Sequence, residues 1–204
     1  MIDVSELQRD ALSEIFNIGV GRAAASLSQI VHDEIELSAP NVLFLPPGEV
    51  QETLNTREMT HMSLVSQDFR GPFDARAMLL FPENNALVIV THMLGELVPP
   101  DQLSEMEQEA MCEVGNIILN ACISALADLF AVEFEGSLPQ HQYADSQTLD
   151  LFGTDPDRVI LVVQVDLTIS QHRLDGHLLF LLSVSSLRGL IDCIDRFLVA
   201  QGLA

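Results

Sequence analysis

The chain of 204 residues has no lysine and no tryptophan; all nine cationic side chains are arginine, and there is a single tyrosine. Without lysine, neither a Schiff base nor a P-loop grip on phosphate can come from this chain. Positive charge is scarce beside 30 acidic residues, and the formal net charge is −21. Such a surface repels phosphate backbones and anionic lipid, which argues against direct nucleic-acid binding and electrostatic membrane docking. Cysteine is equally sparse. Cys112, Cys122 and Cys193 are an odd number with no close-spaced pair, the pattern of buried reduced thiols in a cytoplasmic protein, not of a disulfide framework. Long apolar runs are missing too: those around Val159–Val163 and Leu178–Leu182 are strand-length, far short of a bilayer span. The opening residues Met1–Leu7 lack a basic stretch followed by an apolar one, so no secretory signal is expected.

What is present is a repeat. Ser5-Glu6-Leu7 through Ile18 aligns without gaps on Ser104-Glu105-Met106 through Ile117, an offset of 99 positions that continues from Leu27 over Leu126 to Pro40 over Pro139. Leu7, Ala11, Ile15, Ile18 and Met106, Ala110, Val114, Ile117 recur at helical spacing, and Ser5 and Ser104 stand where N-caps belong. Strands are expected at 35–44, 60–69, 75–81, 132–137, 158–169 and 176–182, with a closing helix in each half at 84–97 and 184–199. Residues 139–157, polar and containing Gly153 and Pro156, read as a loop, and Pro99-Pro100 marks the joint. The order helix, strands, helix, given twice, predicts an α+β fold: an internally duplicated, pseudo-two-fold arrangement with a shared, largely antiparallel sheet and long helices packed on it. One domain of 1–204 made of two repeats, about 1–99 and 100–204, is expected.

Each repeated helix also carries a polar stripe. Asp10, Glu14 and Asn17 lie at i, i+4 and i+7, and the copy has Glu109, Glu113 and Asn116. A solvated face requires no particular residue types, and asparagine is a poor mid-helix residue. Gly19 and Gly21 follow Asn17; small residues there allow another backbone or a partner to approach closely. The copy has Ile118 and Asn120 at those two positions.

Other chemistry is poorly supported. His32, His61, His92, His141, His172 and His177 show no metal-binding spacing, so no metal site is expected. Gly19-x-Gly21 lacks the third glycine and preceding strand of a dinucleotide loop. Ser183-Val184-Ser185-Ser186 precedes a helix and reads as capping.

Asp10-x₃-Glu14-x₂-Asn17-x₂₂-Pro40, repeated as Glu109-x₃-Glu113-x₂-Asn116-x₂₂-Pro139, resembles the signature of the CheC/CheX/FliY family of chemotaxis phosphatases, in its two-site, CheC-like form. The flanking residues Asn17–Gly21 and Glu113–Leu119 resemble the two site helices of that form. One position departs: the family usually has Asp or Ser at the motif head, where the second copy has Glu109.

The resemblance implies hydrolysis of the aspartyl phosphate on a CheY-type response regulator, which would bring its own Mg²⁺ and its own lysine. Asn17 and Asn116 would orient the attacking water, since an amide can accept from water and donate to a phosphoryl oxygen. Glu14 and Glu113 would pair with the regulator's lysine, while Asp10, Gly21, Glu109 and Asn120 would contact the partner. General-base catalysis by Glu14 ranks lower, because nothing in the sequence desolvates it. The alternative is a non-catalytic module that binds phosphorylated CheY or the receptor deamidase CheD. A FliY-like switch component is disfavoured by a chain ending at Ala204, soon after the second repeat. CheX-like proteins dimerise through one repeat each, so an internal duplication predicts a monomer.

Overall fold

Residues 4–39, 41–54, 61–94, 103–145, 158–170 and 172–203 are described by the computed structural model. The first element is α1 (Glu6–Val31), opened by the expected cap: the Gln8 N–H donates to Ser5 Oγ at 3.3 Å, and the Ser5 N–H donates to Gln8 Oε1 at 2.8 Å. This reciprocal pair satisfies two donors that a helix start leaves over. β1 (Ile35–Ser38), β2 (Val42–Leu45), α2 (Pro47–Leu54), β3 (His61–Arg70), β4 (Ala75–Pro82) and α3 (Glu83–Leu94) complete the first half. The second contains α4 (Leu103–Phe130), β5 (Glu135–Gly136), β6 (Gln140–Asp145), β7 (Arg158–Ile169), β8 (His172–Ser183) and α5 (Val184–Gln201).

The α+β expectation holds, with one antiparallel sheet and helices packed on it. Its order is β1-β7-β8-β4-β3-β5, with β2 also pairing β7 and β6 also pairing β3. The two halves therefore exchange their edges. β1 and β2 of the first half lie on β7 of the second, while β5 and β6 of the second lie on β3 of the first. The seam is β4 against β8, registered with Leu79 opposite Leu178.

Alternation along the strands sorts the core into two layers. Leu178, Phe180 and Leu182 face the helix-covered side with Phe16, Val20, Met111 and Ile118; Leu179 and Leu181 face the other with Met62, Leu64 and Val50 of α2.

Several expectations need correction. The 35–44 strand is two short strands separated at 39–41, and 132–137 contracts to Glu135–Gly136. The expected loop at 139–157 begins with β6, whose polar sequence Gln-His-Gln-Tyr-Ala-Asp is held by β3 and not by burial of an apolar face. α2, which opens Pro-Gly, has no counterpart among the expected elements. Ser104 falls within α4, which starts at Leu103, so it is not the cap. On α1 the buried face centres on Leu12, Ile15, Phe16, Gly19 and Val20; of the expected apolar positions Ile15 is buried, Ala11 and Ile18 pack half-buried against the core, and Leu7 is 42% exposed. The Pro99-Pro100 joint, Pro40, Gly153 and Pro156 lie outside the described residues. Over Met106–Phe130, α4 is long and apolar enough by length and composition to cross a membrane, but more than half of that stretch is buried within the protein. It is a central core helix, apolar on most sides because neighbours surround it. The capping reading of Ser183 holds: its Oγ accepts from the Ser186 N–H at 3.0 Å.

Candidate functional site

The two site helices touch each other directly. A Cβ at Gly19 would stand 2.8 Å from the Cα of Cys122 and 3.3 Å from the Ala121 carbonyl oxygen, so this glycine lets α1 and α4 pack backbone to backbone. Arg22 and Asp128 join the same pair of helices at 2.7 Å. Gly21 is different: it is exposed, and a Cβ there would have nothing within 4 Å. Gly115 seats α4 on the sheet, since a Cβ there would fall 2.4 Å from Val65 Cγ1. Its counterpart on α1 is Phe16, whose ring packs on Phe180 at 5.3 Å.

On α1, Asp10, Glu14 and Asn17 are all exposed and share one face. The Asn17 side chain is nonetheless fixed. Its Oδ1 accepts from the backbone N–H of Ala39 at 2.9 Å. A backbone N–H can only donate, so the oxygen of the amide must face it and the NH₂ is turned the other way. Ala39 is the residue before Pro40, and a residue before proline is held to extended backbone. The Asn-x₂₂-Pro spacing thus has a physical content: it brings a donor to the asparagine one helix and one strand later.

On α4, Glu109 and Glu113 are exposed, and Asn116 and Asn120 are half-buried. Among the described residues Asp10, Glu14, Glu109 and Glu113 have no hydrogen-bond or ion-pair partner within the chain. Asn116 is fixed by another route than Asn17. Asn120 Nδ2 lies 2.7 Å from Asn116 Oδ1, 2.7 Å from the Asn116 carbonyl oxygen and 3.3 Å from Gln67 Oε1. Leu138, which corresponds to Ala39, is 85% exposed and does not bond Asn116.

The sequence did not point to the polar layer beneath α4. Gln67 of β3 is only 4% exposed, and its Nε2 donates to the Ser137 carbonyl oxygen at 2.6 Å. Nearer the start of α4, Glu107 is 7% exposed, with one carboxylate oxygen unpartnered among the described residues. Burial, and the hydrogen bond to Glu107, push the Tyr143 hydroxyl well above its usual range. His141 Nε2 sits 2.8 Å from Ser63 Oγ, and burial lowers the pKa of this ring, against the opposing pull of Glu107. The available signal was Ser63 and Gln67 alternating with Val65 and Phe69 on one face of β3.

The three cysteines are free thiols; Cys122 and Cys193 are buried and Cys112 half-buried. Desolvation pushes the Cys122 thiol up to about 12, which makes it inert as a nucleophile.

Comparison with known proteins finds the same motif-bearing region. The chain is 24% identical over 165 residues to the flagellar motor switch phosphatase FliY of Bacillus subtilis, covering 78% of this chain and 42% of that protein. It is 26% identical over 156 residues to the CheY-P phosphatase CheC of Bacillus subtilis, covering 74% of this chain and 70% of that protein. Its fold is similar to the crystal structure of Thermotoga maritima FliY, with a TM-score of 0.78 and 18% identity across 96% of this chain and 100% of that one. Residues 7–43, which hold Asp10, Glu14, Asn17 and Pro40, match the model of the CheC-like family, and over that stretch the chain is similar to it.

Proposed function

We propose that this protein is a phosphatase acting on the aspartyl phosphate of a CheY-type response regulator, with one site on α1 and one on α4. The observation that carries this reading is a repeated one: an exposed glutamate one turn before an asparagine whose amide oxygen is held inward, Glu14 with Asn17 and Glu113 with Asn116. Similarity to relatives named as phosphatases, one of them a CheY-P phosphatase, supports it.

An aspartyl phosphate is an activated acyl phosphate, and its hydrolysis asks chiefly for positioning and charge stabilisation. The oxygen of a water attacks phosphorus, the bond from phosphorus to the aspartate oxygen breaks, and the carboxylate leaves with the electron pair. The water's proton passes to the phosphate oxygens or to solvent, leaving inorganic phosphate. An amide oxygen has two lone pairs. Ala39 or Asn120 occupies one of them, and the other accepts from the attacking water. The NH₂ donates to a phosphoryl oxygen. Glu14 and Glu113 pair with the regulator's lysine, a cation this chain cannot supply itself. Asp10, Gly21 and Glu109 border the contact. The Mg²⁺ that neutralises the phosphoryl group belongs to the regulator, and the protein works in the cytoplasm as a monomer.

The test is the rate of phosphate loss from a phosphorylated CheY-type regulator. Asn17→Ala together with Asn116→Ala should abolish the acceleration while far-UV circular dichroism is unchanged. A double variant as fast as the parent would refute the assignment. Tight capture of CheD by a protein that leaves phosphate lifetime untouched would replace it with a binding role.

A further inference from the structure

We propose that Asn120 and Gln67 are positioning residues of the α4 site, fixing the amide of Asn116 as the Ala39 backbone N–H fixes that of Asn17. The inference rests on the phosphatase reading for its kinetic consequence, though not for its geometry.

The amide nitrogen of Asn120 can only donate. At 2.7 Å from Asn116 Oδ1, it forces that atom to be the oxygen and turns the Asn116 NH₂ away. The orientation matches that of Asn17, reached with a different donor. The need for a second donor is visible in the strand after each helix. Ala39 is fully buried and delivers its N–H to Asn17, whereas Leu138 is 85% exposed and gives nothing to Asn116. Correspondingly, the position of Asn120 is glycine in the first repeat, where Gly21 faces open space.

Asn120 is held from two sides, by the Asn116 carbonyl oxygen on its own helix and by Gln67 on the sheet. Its nitrogen has two hydrogens for three acceptors, and Gln67 Oε1 at 3.3 Å holds it on the side of the sheet. Gln67 is locked in turn. Its Nε2 donates to the Ser137 carbonyl oxygen, the Ser137 N–H donates to the Asp68 carbonyl oxygen at 2.8 Å, and the Asp68 N–H donates to Ser137 Oγ at 3.0 Å. Gly136 leaves the room: a Cβ there would approach Gln67 Nε2 to 3.0 Å. In the other half, β7 presents Leu161, Val163 and Val165 to the helix-covered core with no amide among them. A buried glutamine is therefore not a requirement of this sheet, and its placement follows the asparagine it reaches.

The experiment isolates the α4 site in an Asn17→Ala background and compares Asn120→Asp and Gln67→Leu with that parent. Asn120→Asp keeps the shape and replaces the donor with an acceptor, so a packing role survives it and a positioning role does not. Phosphate release is followed with a phosphorylated CheY-type regulator, and the Asn116 side-chain ¹⁵N order parameter is measured on the free protein. The expected result is a fall in kcat of about tenfold or more with KM within about twofold, because misplacement of an orienting group acts on the reacting geometry. The Asn116 order parameter should fall in both variants. Asn120→Asp with parental kcat and an unchanged order parameter would overturn the proposal. Should the unsubstituted protein show no phosphatase activity while the order parameter still falls in the variants, the phosphatase reading fails and the positioning of Asn116 stands.

Discussion

Gly19 and Gly21 are two residues apart on one helix, yet alanine should act on them with opposite sign. A methyl at Gly19 meets the Cys122 Cα at 2.8 Å, with Ala121 O and Cys122 N at 3.3 Å. The obstacle is backbone, so no side chain can rotate aside, and α1 and α4 have to separate along their contact. Overpacking of this kind costs about 3 kcal/mol at the upper end of the usual range. Alanine recovers roughly 1 kcal/mol of helix propensity, leaving a net loss of about 2 kcal/mol. A methyl at Gly21 meets nothing within 4 Å, so the propensity gain of roughly 1 kcal/mol stands alone. For a chain of this size each kcal/mol moves Tm by about 2–4 °C, so Gly19→Ala should melt about 4–8 °C below the parent and Gly21→Ala about 2–4 °C above it. Far-UV circular dichroism during thermal and urea unfolding is the suitable probe, because the chain has no tryptophan to report by fluorescence. Gly19→Ala as stable as Gly21→Ala would show that the helices do not meet backbone to backbone.

Two further outcomes follow from the sheet and its buried rings. Expressed alone, residues 1–99 or 100–204 should give no cooperative monomeric unfolding transition, and mixing them should restore one, since β4 pairs with β8 and β3 with β5 and β6 across the halves; a stable monomeric half would contradict this. Burial lowers the pKa of both His141 and His177. The unfolded chain then takes up protons near 6.5 that the folded chain refuses, so this contribution is complete above 6.5 and is lost as pH falls below it. Urea midpoints measured at about pH 8 and pH 5.5 should drop more steeply in the parent than in a His141→Gln, His177→Gln variant; equal slopes would refute the assignment.

Periodicity and spacing carried much of this in the sequence, for identifiable reasons. Buried apolar runs such as Arg158–Ile169 specify a strand through their own composition, and the expected bounds of β7 are those observed. The polar stripe of α1 was visible because helical spacing is local. β6 was hidden because its strand character comes from pairing with β3, 74 to 84 residues earlier (Ser66 with Gln140, His61 with Asp145), and not from its own pattern. The fixing of Asn17 was half legible: the distance to Pro40 is in the sequence, but the bond to the Ala39 N–H is not. For Asn116 the supports are Asn120 on its own helix and Gln67 in the opposite repeat, and no local signal links the latter to the motif.

The exchanged edges also set an order of events during synthesis. β3 pairs with β4 on one side, but β6, which lines most of its other edge, begins only at Gln140, about 70 residues after β3 ends at Arg70. At about 5–20 residues per second that interval is roughly 4–14 s. Throughout it the nascent first half carries a ten-residue strand with one open edge and apolar Met62, Leu64 and Val65 not yet covered. The ribosome-bound chain at this stage is the form most prone to pair with a second copy of itself, and slowing translation between codons 70 and 140 should lower soluble yield without altering the finished protein.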